Sequence, residues 1–523
     1  MDDYRSRAEH FLTEETQFHL GALPTEQPHP KTVGLAETLQ EDCAAGVRML
    51  QSVDRDVSEM AHRVLDGPEV GRLVEAITDT VTGGGRVCFS GCGATGRLSI
   101  MLEAMWRWFW RDFAEQRPEH AAVADRMSER VVSIMTGGDY ALIRSVENFE
   151  DYISFGRQQV VEAGLDEGDV MVAITEGGET SSVIGTLMEA MERGAAGFLV
   201  FNNPAEILAE HVERSRRVIK DPEVTVLDIS TGPMALTGST RMQATTAELL
   251  VVGAALERAL AEVLREVLPE DAVEELPEEW LAPAVGAEQF DALLDELGDD
   301  EAVEALATWT KLEHELYAEG GLITYFAHEC LLDIFTDTTE RAPTFMLPPF
   351  RKCDDTVSPP SWPFVKDPMQ PTPETWRRVL GREPRCLEWT PDTYRELGAA
   401  ESIVHSPPQI GREDLMKFLI GREEDPSRTE TEPNIAMRVL AARELQAEHA
   451  DAWREAYEAA SAPFGSRRSV VIGDPQRGME TGDQHLHVPC RLTPTALRLW
   501  ERLGVKLVLN TISTATMGRL GGW

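Results

Sequence analysis

The sequence predicts an α/β protein with two doubly wound, three-layer αβα sandwiches, the second of them degenerate, and a helical segment at the N terminus. Short β-rich runs alternate with long helical stretches from about residue 84 to residue 265, a pattern typical of a parallel sheet covered by helices. The length of 523 residues allows about three domains or two large ones. Residues 249–252 and residues 507–510 also resemble each other, at the same stage of the two halves.

Five strands are predicted in the first sandwich, at residues 86–90, 131–135, 170–174, 197–201 and 224–229. Helices are predicted around them, near residues 96–115, 140–163, 181–193, 204–216 and 241–265. Because crossovers between parallel strands are right-handed, this order indicates an open sheet with helices on both faces.

The second half gives weaker signals. Residues 266–300 are predicted as an acidic linker with one helix, residues 301–340 as helical, and the proline-rich residues 341–375 as an irregular arm. Further strands are predicted at residues 415–421, 469–473 and 485–490, with helices near 434–460 and 493–520. The predicted division is a helical N-terminal segment (1–60), a first sandwich (61–270), an acidic linker (271–300) and a divergent second sandwich (301–523).

Charge and cysteine content exclude several classes of partner. The net charge of −41 repels phosphate backbones and anionic lipid, so neither nucleic acid nor membrane is an expected partner. The seven cysteines include no CxxC pair, which predicts no disulfide framework, no zinc site and a reducing cytoplasm. Neither a signal peptide nor a membrane-spanning run is predicted.

Two glycine-rich loops are candidate anion sites, because each follows an apolar strand and opens a helix. Residues 90–97 contain Gly93, Ala94 and Thr95, and residues 175–182 end in Thr180, Ser181 and Ser182. A tight turn and ordinary helix caps are the alternative interpretations. The first loop lacks the later acidic residue of a nicotinamide site and the lysine of a nucleotide-triphosphate loop, so no cofactor is predicted.

Other polar residues are weaker candidates. Ser239 and Thr240 open a further helix as caps, and the following Arg241 is within reach of an anion there. Glu147 and Glu150 lie three residues apart, which places them on one face of a helix. They are either part of a solvated surface, or they accept hydrogen bonds from sugar hydroxyls or act as a proton-transfer pair. His485 and His487 have no evident third ligand, so no metal site is predicted.

Several segments together resemble one family. These are residues 84–86 and 91–98, residues 137–141 followed by Glu147 and Glu150, Asn203 with Pro204, residues 236–242, and residues 506–514. They are similar to the signatures of the sugar isomerase (SIS) superfamily, in the branch of the N-acetylmuramic acid 6-phosphate etherases and the glucokinase regulatory protein. The resemblance covers roughly residues 20–260 and 503–520.

This resemblance implies a SIS sandwich that binds a hexose 6-phosphate or an amino-sugar 6-phosphate between two lobes, with a sugar kinase as a possible protein partner. Phosphate would be held by Thr95 and the loop around Ser182, the sugar by the two glutamates, and Lys506 would reach across from the second lobe. The residues expected to bind ligand are Gly93, Ala94, Thr95, Glu147, Glu150, Thr180, Ser181, Ser182, Ser239, Thr240 and Lys506.

One departure from the family leaves the activity open. Met105 stands where the etherases carry a general acid, and the nearby Glu103 would point to another side of the helix. The leading hypothesis is therefore a regulator-like sugar-phosphate-binding protein that is non-catalytic or weakly catalytic. The alternatives are an etherase-type lyase or sugar-phosphate isomerase that uses Glu147 or Glu150, and a scaffold that has lost its ligand.

Overall fold

The first sheet of the protein contains five parallel strands. The computed structural model describes residues 2–14, 20–146, 148–474, 479–480 and 482–521. The strands are β1 (Val87–Gly91), β2 (Val131–Met135), β3 (Val170–Thr175), β4 (Ala196–Phe201) and β5 (Val224–Asp228), in the order β2-β1-β3-β4-β5. All five strands that the sequence predicted for the first sandwich are confirmed.

The second sheet repeats this topology. Its parallel strands are β6 (Leu322–Phe326), β7 (Pro363–Lys366), β8 (Asn434–Ala441), β9 (Ser466–Ile472) and β10 (His485–Val488), in the order β10-β9-β8-β6-β7. Counted from β6, this is the strand order of the first sheet. In each sheet the first and third strands are neighbours, and the crevice beyond their carboxyl ends is where ligands bind in open α/β sheets.

Helices precede, surround and follow the two sheets. Up to the end of the first sandwich they are Asp2–Glu14, Leu35–Glu41, Cys43–Val64, Pro68–Thr82, Gly93–Gln116, Ala121–Ser128, Tyr140–Ile143, Ile153–Ala163, Ser181–Glu192, Ala205–His211, Glu213–Ile219 and Gln243–Val267. The remaining helices are Glu270–Glu274, Glu278–Leu281, Ala287–Leu297, Asp300–Ala318, Leu331–Phe345, Thr372–Leu380, Pro391–Glu396, Glu401–His405, Arg412–Leu415, Pro426–Thr429, Ala450–Ser461 and Leu499–Arg519.

Both sheets are covered on both faces. Along β3, Val170 and Val172 belong to one apolar cluster, and the alternating Met171 and Ala173 belong to another. The same alternation separates Met437 from Ala436 on β8. Because successive side chains of a strand point to opposite faces, each sheet is the middle layer of an αβα sandwich.

The two lobes share one continuous apolar core. Helices Gly93–Gln116 and Gln243–Val267 of the first lobe pack against Leu331–Phe345 and Leu499–Arg519 of the second. Helix Gln243–Val267 follows β5, the fifth strand of the first sheet, and helix Leu499–Arg519 follows β10, the fifth strand of the second. The faint repeat between residues 249–252 and 507–510 therefore lies on equivalent helices.

Several predictions for the second lobe were wrong. Residues 415–421 form no strand, and residues 434–441, expected to begin a helix, are the central strand β8. Strands β6 and β7 lie within segments predicted as helical and irregular, and the acidic linker contains three helices instead of one. Strand β8 shows no alternation of apolar and polar residues because it is buried on both faces. It also includes Met, Arg, Leu and Ala, which favour helices, so its sequence resembles that of a helix.

All seven cysteines are free thiols. Among the described residues, no helix combines the length and apolar character that crossing a membrane requires.

Candidate functional site

The candidate site lies beyond the carboxyl ends of β1 and β3, in the first lobe. After β1, the helix Gly93–Gln116 begins with Cys92 as its N-cap. A Cβ atom at Gly91 would overlap the backbone of Thr95, and Gly93 has a φ of +56°. This turn therefore requires glycine, and it places the first N–H groups of the helix, which have no partner within the helix, at the crevice.

The hydroxyl of Thr95 closes this loop. Its Oγ1 accepts a hydrogen bond from the Cys92 N–H at 3.1 Å and donates to the Cys92 carbonyl at 2.7 Å. Its side chain was expected to hold phosphate, yet both bonds stay within the turn. The anion-binding groups that the loop offers are the backbone N–H groups of Gly93, Ala94 and Thr95, at the positive end of a 24-residue helix.

The second loop uses its hydroxyls in contacts with other hydroxyl groups instead of as helix caps. Thr180 is the N-cap of helix Ser181–Glu192 but makes no capping bond, and its Oγ1 lies 3.0 Å from Oγ1 of Thr175. The hydroxyl of Ser182 lies 2.8 Å from that of Thr136, at the end of β2. Ser181 is half-buried beside them. The three predicted hydroxyl residues therefore lie together.

Glu150 connects the two loops. Its carbonyl accepts a hydrogen bond from the N–H of Ser182 at 2.9 Å, and its Oε2 lies 3.7 Å from Sγ of Cys92. The sequence suggested that Glu150 lies on the face of a helix, but it belongs to a turn before helix Ile153–Ala163. Glu147 lies outside the described residues.

Buried acidic groups line the floor of the site. Glu176 follows β3, is 8% exposed and lies 3.4 Å from the hydroxyl of Thr245. Burial raises its pKa to about 8, with further contributions from the charges of Glu340 and Glu179. Burial also raises the pKa of Glu248 well above its ordinary value. The site thus holds a carboxyl group that keeps its proton at neutral pH.

The N-terminal segment closes one wall. Asn203 accepts from the N–H of Thr25 at 3.2 Å and donates to the Thr25 hydroxyl and the Gly177 carbonyl, each at 3.0 Å. The Thr25 carbonyl in turn accepts from the N–H of Gly238 at 3.1 Å. Two segments that carry the family resemblance, at Asn203 and Gly238, therefore meet the N-terminal segment and the second loop at this wall.

The third predicted segment faces the second lobe. Arg241 donates to Asp337 at 3.0 Å and to Thr514 at 2.8 Å, so its guanidinium is directed at the other lobe and not at the phosphate loops. Ser239 is buried and its Oγ has no hydrogen-bond partner among the described residues, and Thr240 is half-buried.

Lys506 reaches across from the last helix, as expected, but to a different place. Its Nζ donates to the carbonyls of Arg241 and Met242 at 3.0 and 3.2 Å, to the Thr246 hydroxyl at 2.8 Å and to Asn510 at 2.6 Å. Burial lowers its pKa to about 7. The ammonium group therefore bonds to the start of helix Gln243–Val267, and none of its hydrogen bonds among the described residues goes to the loops of Thr95 and Thr180.

Glu103 does not replace the family's missing acid. It is fully buried and pairs with Arg382 at 2.9 Å, Arg385 at 3.1 Å and Arg107 at 2.9 Å. Although burial alone would raise the pKa of this carboxyl, the three guanidinium groups lower it to about 2. Met105 is buried in the core.

Glu340 was not predicted from the sequence. It lies on helix Leu331–Phe345 of the second lobe, pairs with Arg97, and points Oε1 toward Gly93 at the mouth of the first loop. No sequence motif marks Glu340, because its position near Gly93 results from the packing of the second lobe against the first. Glu176 was also not among the residues expected from the sequence to bind ligand.

Fold and site together define a class: a two-lobed α/β protein with two glycine-rich loops at the switch point of its first sheet. The family model described as the glucokinase regulatory protein N-terminal SIS domain matches residues 69–191. N-acetylmuramic acid 6-phosphate etherase 1 of Bacillus licheniformis is 29% identical over 236 residues, which are 45% of this chain and 67% of the relative. The corresponding etherase of Cronobacter sakazakii is 31% identical over 235 residues, 45% of this chain and 69% of the relative.

Among solved structures, the C-terminal domain of glucosamine-fructose-6-phosphate aminotransferase from Francisella tularensis aligns with 86% of this chain and 95% of its own, at 10% identity and a TM-score of 0.42. The chain belongs to the SIS-domain family that contains the N-acetylmuramic acid 6-phosphate etherases and the glucokinase regulatory protein.

Proposed function

We propose that the crevice of the first lobe binds an amino-sugar 6-phosphate or a hexose 6-phosphate, and that the chain acts on it as a carbon–oxygen lyase of the etherase type. The observation that carries this proposal is the pair of carboxyl groups near Cys92. Oε2 of Glu150 lies 3.7 Å from Sγ of Cys92, and burial of this thiol raises its pKa, with further contributions from the charges of Glu150 and Glu176. Two acidic groups at one loop, one of them protonated at neutral pH, are suited to acid–base chemistry.

The phosphate is proposed to bind at the N terminus of helix Gly93–Gln116. Backbone N–H groups and the positive end of the helix dipole attract a phosphate without a nearby lysine. The hydroxyls of Thr180 and Ser182 lie on the second loop, where they would add hydrogen bonds to the same group or to the sugar. This arrangement supports local binding of an anion by a chain whose net charge is −41.

The proposed roles follow from the two positions. Eliminating an ether group requires a base that removes a proton from the neighbouring carbon and an acid that protonates the departing oxygen. Glu150 is proposed as the base, since it contacts both loops. Glu176 is proposed as the acid, since burial raises its pKa to about 8. It would supply the proton that Met105 cannot.

A second candidate function is sugar-phosphate binding without turnover, as in a regulator. Met105 at the usual acid position and the engagement of Glu103 by three arginines favour it. A sugar kinase as protein partner, a cytoplasmic location and the four-part domain division remain predictions.

Proton NMR of N-acetylmuramic acid 6-phosphate incubated with the protein separates the two functions. We expect release of the ether substituent by the wild type, and a decrease of about 10²–10⁴-fold in Glu150→Gln and in Glu176→Gln. Glu167→Gln, an exposed glutamate in the same lobe, is the control and should keep the wild-type rate. Binding of the sugar phosphate without any turnover by the wild type would support the regulator-like function instead.

A further inference from the structure

The second sheet has its own switch point, between β6 and β8. These strands are neighbours in parallel register, as β1 and β3 are in the first sheet. Their carboxyl ends lead into residues 327–330 and into residues 442–449. This crevice is the topological equivalent of the candidate sugar-phosphate site, but its side chains have a different chemistry.

Three potential metal ligands meet there. A ring nitrogen of His328, a carboxylate oxygen of Glu329 and a ring nitrogen of His449 all lie within 4.8 Å of one another. In the part of the chain that the structure describes, no other group of three His, Cys, Asp or Glu side chains comes this close. His328 is buried, and the other two are half-buried.

The hydrogen bonds of the two imidazoles leave one nitrogen of each ring available to a metal. Nδ1 of His328 lies 2.7 Å from Oδ2 of Asp367, which leaves Nε2 for another partner. Metal-binding histidines commonly hold a carboxylate on their second nitrogen in this way. Nε2 of His449 is buried without a hydrogen-bond partner among the described residues and lies 3.8 Å from Oε1 of Glu329.

The nearby positive charges are directed at other atoms. Arg443 and Arg498 contact Oε2 of Glu329, at 3.3 and 3.1 Å, so Oε1 is the oxygen that faces His449. Both arginines have a second acidic partner, Glu501 and Asp112 respectively. Arg378 pairs with Asp367 at 2.9 Å. Each guanidinium is therefore matched by a carboxylate.

We propose that His328, Glu329 and His449 bind one divalent transition-metal ion, of which Zn²⁺ is the representative. Zinc binds His nitrogen and carboxylate oxygen at roughly 2.0–2.2 Å in a tetrahedron, which holds the ligand atoms about 3.3–3.6 Å apart. The three ligand atoms, which lie within 4.8 Å of one another, would approach to that spacing when the ion binds. Three protein ligands leave the fourth position open, as in zinc sites that bind water or a substrate oxygen.

A cavity of about 180 Å³ lies close to the cluster, although none of the three proposed ligands lines it. Glu444, Ala450 and Trp453 are among its lining residues, and the Trp453 ring lies 6.2 Å from that of His328. The Trp453 indole N–H is buried without an acceptor among the described residues.

The test is metal binding by the full chain, after treatment with a chelator and dialysis, with excess Mg²⁺ present to occupy the acidic surface. Calorimetric titration with Zn²⁺ should show one tight site per chain, and Co²⁺ should give the visible absorption of a tetrahedral complex. His449→Ala, at a side chain without an Nε2 hydrogen bond, and His328→Ala should abolish both signals. Asp367→Asn should weaken binding by about 10–100-fold.

His405→Ala is the matched control, because His405 is an exposed histidine of the same lobe. It should bind Zn²⁺ as the wild type does. Circular dichroism checks that the variants are folded, and the wild-type Co²⁺ spectrum tests the site without any substitution. The proposal is overturned if the wild type binds no stoichiometric Zn²⁺, or if folded His449→Ala binds it with unchanged affinity.

Discussion

Glu176 keeps a proton at neutral pH because its carboxyl group is buried near other acidic side chains. The same physical cause, loss of hydration, acts in the opposite direction on the cation Lys506, whose pKa falls to about 7. Near neutral pH the floor of the first lobe therefore holds groups whose charge changes with small changes in pH. This is an arrangement common at functional sites.

Glu176 predicts a measurable dependence of stability on pH. Its pKa is about 8 in the folded protein and near 4.5 when unfolded, so the folded state holds the extra proton between these values. Its contribution to stability is complete below pH 4.5 and is lost as pH rises through 8. In Glu176→Gln, the loss of unfolding free energy between pH 5 and 8 should be smaller by on the order of 2–4 kcal/mol.

Urea unfolding at several pH values measures this difference, with Glu167→Gln as the exposed control. A variant whose stability follows pH as steeply as the wild type would show that Glu176 is ionised in the folded protein.

Glu340 predicts an effect on affinity. Its carboxylate pairs with Arg97 and lies beside Gly93, so its charge repels a phosphate at the helix N terminus. Glu340→Gln keeps the shape and removes the charge. It should tighten binding of fructose 6-phosphate by about 3–10-fold, the effect of roughly 1 kcal/mol of Coulomb repulsion.

Calorimetric titration measures this affinity. Glu304→Gln, which changes an exposed glutamate of the second lobe, is the control and should leave the affinity unchanged. Weaker binding by Glu340→Gln would contradict the proposed phosphate position.

The helices Ile153–Ala163 and Ser181–Glu192 hold the second loop in place through glycine contacts. A Cβ atom at Gly156 would overlap the Ser182 carbonyl, and one at Gly185 would overlap the Ile153 carbonyl. The backbones of the two helices are therefore in direct contact next to the second loop. At the scale of elements, the position of Thr180 and Ser182 depends on residues that make no polar contact with a ligand.

Gly156→Ala should therefore reduce sugar-phosphate affinity at least 10-fold, because the new methyl group pushes the second loop away from the first. Calorimetry with fructose 6-phosphate measures the loss. Gly71→Ala is the matched control, since Gly71 is also helical but has open space around its Cβ position. Unchanged affinity in Gly156→Ala would mean that the second loop does not contact the ligand.

At the scale of the whole molecule, buried ion pairs join the two lobes in addition to the shared apolar core. Arg382 of the second lobe contacts both Glu103 and Asp139 of the first, and Arg241 contacts Asp337 in the opposite direction. These pairs are buried, so removing one member leaves an uncompensated charge in the interior.

Glu103→Gln should destabilise the protein by about 3–5 kcal/mol, because three arginines lose their shared partner. Thermal unfolding measures the effect, and Glu115→Gln on the exposed side of the same helix is the control. A melting temperature equal to that of the wild type would show that the ion pairs contribute little to the joining of the lobes.

Sequence patterns were sufficient for the first lobe and insufficient for the second. Strands β1 to β5 alternate with helices at regular spacing, whereas β8 is a continuous buried run that resembles a helix. The loops of Thr95 and Ser182 were found because glycines and hydroxyls cluster at strand ends. The contacts of Lys506 and Glu340 were not predictable, because they depend on the packing of helices distant in sequence.

The most direct test is a crystal structure with a bound sugar 6-phosphate. The phosphate is expected at the N terminus of helix Gly93–Gln116, within hydrogen-bond distance of the N–H groups of Gly93 and Ala94, with the sugar between Glu150 and Glu176. A phosphate bound elsewhere in the molecule, or none at a concentration that saturates relatives, would contradict the account.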